Sequence, residues 1–114
     1  MILTTLLLGA VIIAGVGVVA AFWNDLVKFL KKAIQKVSQI IEGIVYGCKV
    51  FVRKIHEGIK EISRHYSKVD QHWEETTVTK TISESEVPPE ILEQARASEE
   101  LDITDELEMQ LESA

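Results

Sequence analysis

From Ile2 to Trp23 the chain is apolar at almost every position and carries no charged side chain. As a helix these 22 residues would be about 33 Å long at about 1.5 Å per residue, enough to cross a hydrocarbon core roughly 30 Å thick. Residues 1–23 therefore read as a transmembrane helix. Phe22 and Trp23 suit an interfacial belt, and Lys28, Lys31, Lys32 and Lys36 follow at once, so the positive-inside bias places the N-terminus outside and the C-terminus in the cytoplasm. Ala10, Ala14, Gly17 and Ala21 recur at helical spacing, a small-residue face along which membrane helices associate. A cleaved secretory signal is the competing reading, with Val18 and Ala20 as its small-residue cleavage pattern. Against it, no basic residue precedes the stretch, which is also longer than the usual h-region of about 7–15 residues.

Past Asn24 the apolar positions become periodic. Leu30, Ile34, Val37, Ile41, Ile44, Cys48, Phe51 and Ile55 follow alternating steps of four and three, the seam of a coiled coil. Ile59, Ile62 and Tyr66 extend it after one extra residue, a drift toward an eleven-residue repeat. Lys28, Lys32, Gln35, Gln39, Glu42, Lys49, Arg53, Glu57, Lys60 and Arg64 take the opposite side. Residues 24–66 thus read as a basic amphipathic helix. Gly43 and Gly47 interrupt it, each at a cost of about 1 kcal/mol. The helix needs a cover for its apolar face: its own copies, the bilayer surface or the acidic tail.

Helical period fails after Tyr66. Residues 67–83 read as a loop and a strand or hairpin, because Trp73–Ser83 is rich in Thr and sets Val78 and Ile82 on one alternating face. A strand needs a partner, supplied either by a fold-back of residues 64–69 or by another chain. Residues 84–114 read as an acidic tail with two short helices. Pro89 suits the first turn of one, ending at Ala97, and Thr104 caps the other, with Leu107 and Leu111 one turn apart. The fold class expected is mainly α: a transmembrane helix, a long coiled-coil-like helix, a short strand or hairpin and short acidic helices.

Charge sharpens this division. Residues 24–68 hold ten Lys or Arg against four acids, and residues 69–114 hold fourteen acids against Lys80 and Arg96. The net −6 of the chain therefore hides a basic middle and a strongly acidic tail, which invites docking between the two. That tail also competes with any polyanion for the basic helix, so nucleic acid is not an expected partner.

Candidate chemistry is sparse. His56, His65 and His72, with Asp70 nearby, match no metal-ligand spacing and read as solvated loop residues. Cys48, the one cysteine, lies on the apolar seam and reads as a buried thiol, not a nucleophile. No catalytic, cofactor-binding or metal residue is assigned. The expectation is a non-enzymatic single-pass protein of the cell membrane without cofactor. It would self-associate through its helices as a homo-oligomer in the bilayer and offer its acidic tail to a cytoplasmic protein. The alternative is a membrane-permeabilising effector, pore-forming and holin-like or toxin-like.

Overall fold

The computed structural model describes residues 17–112. Helix α1 runs Gly17–Ile41, followed by strands β1 (Val45–Ile55), β2 (Gly58–Val69) and β3 (His72–Ile82). A 3-10 turn at Glu84–Glu86 leads to α2 (Pro89–Ala97), the short strand β4 (Leu101–Asp102) and α3 (Thr104–Glu112). The strands form one antiparallel sheet in the order β3-β2-β1-β4. The architecture is α+β, with α1 laid across β2 and β1 and the two C-terminal helices packed at the β1–β4 side.

This corrects the mainly α expectation. The long basic helix ends at Ile41, and most of its supposed second half is β1 and β2. The reason lies in the residues: Val45, Val50 and Val52 are β-branched, and Gly43 and Gly47 weaken a helix interior. Glu42 takes a left-handed conformation (φ 51°), and the Gly43 N–H bonds the Ser38 carbonyl at 3.2 Å. That six-to-one bond is a Schellman ending, with Glu42 where glycine is usual. The spacing that mimicked a seam across Ile44, Phe51 and Ile55 is replaced by a strand alternation that buries Cys48, Val50 and Val52. Ile44 is exposed. Among the described residues there is no coiled-coil seam, and Cys48 is fully buried in β1.

The single-pass membrane assignment is corrected as well. No helix among the described residues is long and apolar enough to cross a membrane. Residues 1–16 of the expected span lie outside the described residues. From Gly17 the chain is amphipathic: Ala20, Trp23, Leu26, Val27, Leu30, Ala33, Ile34 and Val37 recur at helical spacing and are all buried. Phe22 and Trp23, expected at a lipid interface, meet edge to face at 5.1 Å inside the core. A membrane localisation with the N-terminus outside therefore has no support in the fold.

Two tight turns set the sheet register. Ile55 pairs with Gly58 around His56-Glu57, and Val69 pairs with His72 around Asp70-Gln71. Asp70 and Gln71 both have positive φ, 51° and 68°, as a type I′ turn demands so that the strands keep their right-handed twist. A Cβ on Gly58 would stand 2.4 Å from the Ile82 carbonyl oxygen, so the end of β3 can approach β2 only because that residue has no side chain. Pro89 opens α2 at a position where no amide is needed. At α3 the Asp102 carboxylate accepts the Thr104 N–H at 2.9 Å, while Thr104 Oγ1 accepts the Val50 N–H at 3.0 Å. Thr104 thus ties its helix to β1 instead of capping it.

Two substitutions check this account by urea denaturation. Gly58→Ala forces backbone apart and is expected to destabilise by about 1–3 kcal/mol, the range of overpacking. Gln71→Gly relieves left-handed strain and is expected to stabilise by about 1 kcal/mol.

Candidate functional site

The sheet has two unlike faces. Toward α1 point Cys48, Val50 and Val52 from β1, then Ile59, Glu61, Ser63, His65 and Ser67 from β2. The β1 half of that face is apolar, as a covered sheet should be. The β2 half is a buried polar stripe, with Glu61 1% exposed and Ser63, His65 and Ser67 fully buried. His65 Nε2 lies 2.8 Å from Ser63 Oγ, and the Ser63 hydroxyl donates to the Val78 carbonyl at 3.2 Å. Glu61 Oε1, His65 Nδ1 and Ser67 Oγ make no hydrogen bond.

His65 is thus neither solvated nor in a loop, which corrects its expected place. His56 sits exposed in the first hairpin turn, Asp70 lies in the second and His72 follows it at the start of β3. Among the described residues no three His, Cys, Asp or Glu side chains are placed to share a metal ion. Ser63 and His65 resemble a nucleophile and its base in contact, but both are fully buried beneath α1, so no substrate reaches them.

Burial dominates the electrostatics of the stripe. It raises the Glu61 pKa from 4.5 to about 7, with Lys80 opposing the rise and Asp25 and Glu86 adding to it. It lowers the His65 pKa from 6.5 to about 4. Both groups are therefore held neutral across a wide pH range. Asp25, Glu61, Lys80 and Glu86 share a small cleft of about 180 Å³ with Phe22, Thr81 and Ile82.

The other face is partly exposed, with Ile62 buried at its centre. Its rows are Arg53, Lys60 and Thr81; Phe51, Ile62 and Thr79; Lys49, Arg64 and Thr77; Tyr66 and Glu75; and Lys68 with Trp73. Lys49, Arg53 and Lys68 are exposed and Lys60 is half-buried; none of the four forms an ion pair among the described residues. Arg64 is held differently. It forks onto the Glu100 carboxylate (Nη2 to Oε2 3.1 Å), meets Glu75 at 3.4 Å and stacks 4.5 Å from the Phe51 ring centroid. The bond to Glu100 raises its already high pKa.

At one end of this face stand two exposed aromatics. The β1–β2 register slips between Val45 and Gly47, so Tyr46 is an extra residue on β1, and such a bulge re-aims a side chain. Tyr46 and Trp73 are 54% and 66% exposed and meet edge to face at 5.8 Å. Tyr46 stands on the bulge and Trp73 near the start of β3, and both rings remain largely in water.

Sequence reasoning placed Lys49, Arg53, Lys60 and Arg64 together, on the polar side of a helix. The structure does bring them together, on a sheet. It missed the Tyr46–Trp73 pair and the buried stripe. The signal for the latter was the two-residue period of Glu61, Ser63, His65 and Ser67.

Comparisons with protein-family models, with curated proteins and with solved structures give no match to this chain.

The sign of the Glu61 contribution follows from its raised pKa. The contribution is whole below pH 4.5 and is lost as pH rises through about 7, because folding then requires a proton. His65 acts oppositely: its contribution is whole above pH 6.5 and is lost as pH falls toward about 4. The two slopes oppose each other between pH 4.5 and 6.5. Glu61→Gln should therefore match the parent near pH 4 and exceed it by about 3 kcal/mol above pH 7. Urea midpoints at pH 4, 6 and 8 measure this, and a difference independent of pH would mean that Glu61 is not neutral in the fold.

Proposed function

We propose that this chain is a non-enzymatic interaction module that recruits an acidic protein segment on the partly exposed face of its sheet. One observation carries the reading: the exposed Tyr46–Trp73 pair stands on the same face as Lys49, Arg53, Lys60 and Lys68. Aromatic rings give a rigid apolar anchor, and surrounding lysines and arginines add attraction for carboxylates and steer the approach. Arg64, held between Glu75 and Glu100, shapes the floor of that face.

An acidic protein segment fits better than a nucleic acid. Glu74 and Glu75 adjoin Trp73, and the chain carries a net −6. A polyphosphate would meet that field along its whole length, whereas a short peptide would sample only the basic rows. The exposed carboxylates of α2 and α3, such as Glu93, Asp105 and Glu112, give the molecule a second surface of opposite sign, suited to a basic partner.

Titration of the labelled protein with a glutamate-rich peptide, followed by NMR, tests the reading. Amide shifts should concentrate on Lys49, Phe51, Lys68 and Trp73. Lys49→Glu combined with Arg53→Glu should weaken binding at least about tenfold, equivalent to about 1.4 kcal/mol. Shifts confined to α2 and α3, or tighter binding of single-stranded DNA at the same salt, would displace it.

A further inference from the structure

We propose that the outer edge of β3 pairs antiparallel with β3 of a second copy of this chain, joining two sheets into one of eight strands. The two edges of the sheet are treated differently. On the β1 side, β4 pairs with Phe51 and Val52 and α3 is tied to Val50 through Thr104. On the β3 side, no strand among the described residues follows. β3 is 11 residues long, about twice the usual strand. It pairs with β2 through an unbroken register from Ile59↔Ile82 to Val69↔His72. Of the devices that blunt an edge it lacks three, since it is not short, has no bulge and holds no proline; it keeps two charged side chains on its inner face, Glu74 and Lys80, which a second strand must pair. Four of its residues, Thr76, Thr77, Thr79 and Thr81, are threonines, which favour strands. α1 makes most of its sheet contacts with β2 and β1, and Asp25, Lys28 and Lys32 approach β3 only beside Lys80.

Charge complementarity selects the occupant and the register. A two-fold axis normal to the sheet keeps like faces together, so residues opposite one another must differ by an even number of positions. With the axis at Thr77, Glu74 faces Lys80 of the second copy and Lys80 faces its Glu74. Thr76 then faces Val78, Trp73 faces Thr81 and Thr77 faces itself. Glu74 and Lys80 are both exposed in the single chain. Moving the axis to Thr76 sets Glu74 against Val78 and Lys80 against His72. Moving it to Val78 sets Glu74 against Ile82 and Lys80 against Thr76. Either shift removes both ion pairs, and cross-strand pairs of opposite charge are what fix a register. The joined sheet keeps both partly exposed faces on one side, so the inference goes beyond the proposed binding function without needing it.

Cysteine cross-linking on the full chain tests the pairing. Thr77→Cys places two thiols on the axis, with Cβ atoms roughly 5 Å apart, while Cys48 stays buried. Oxidation with copper-phenanthroline should link this variant rapidly and leave the unmodified chain and Thr79→Cys at least tenfold slower. Adding Glu74→Lys should slow the Thr77→Cys link at least tenfold, and adding Lys80→Glu to that variant should restore it. Because Lys80→Glu sets a carboxylate near Glu61, circular dichroism must first show that the doubly reversed variant folds. Should it not fold, Glu74→Gln with Lys80→Gln replaces it and should slow the link without restoring it. No link from Thr77→Cys, equal linking from Thr79→Cys, or linking indifferent to Glu74→Lys would each overturn the proposal.

Discussion

Everything in this fold depends on α1 lying across the inner face of the sheet. Leu26, Leu30 and Val37 are fully buried there, against Cys48, Val50, Val52 and Ile59 from the strands. The apolar residues of the sheet's inner face need a cover, and the apolar stripe of α1 supplies it. α2 and α3 add to the same cluster through Ile91, Ala95, Leu107 and Leu111. The acidic tail is therefore fixed to the basic middle mainly by apolar contact. The Arg64–Glu100 and Lys54–Glu84 pairs lie at its margins, where half-exposed ion pairs contribute little.

The same contact carries a mismatch. An apolar helix meets an apolar β1 but a polar β2, and three of the buried polar atoms on β2 make no hydrogen bond. Such groups are costly in a low-dielectric interior. Burial answers part of that cost by keeping both Glu61 and His65 neutral. Their opposite dependence on pH leaves the pair balanced through the mildly acidic range, a property neither residue has alone.

The partly exposed face follows a different logic. Its aromatic and basic residues are arranged by strand register and by one bulge, not by burial. Rows set two residues apart bring together side chains far apart in the chain, such as Lys49 with Arg64 and Tyr46 with Trp73.

Some of this was legible in the residues. The two-residue alternation of Thr-rich Trp73–Ser83 reads as a strand, and β3 spans His72–Ile82. Pro89 and the Leu107–Leu111 spacing mark the places where α2 and α3 lie. The apolar stripe from Leu30 to Val37 is helical in both readings. These are local signals, set by backbone propensity and short-range spacing. The point at which α1 stops was not legible, because residues 44–55 satisfy a helical step of three and four as well as a strand step of two. Only pairing with β2 chooses between them, and that choice exchanges Phe51 and Ile55 for Val50 and Val52 in the core. Likewise, Glu61 and His65 are ordinary polar residues until a helix from elsewhere in the chain covers them. Sequence alone determined where short elements form and where charge gathers. The tertiary structure alone decided which face each element buries, because burial is a property of the neighbours, and those neighbours come from distant parts of the chain.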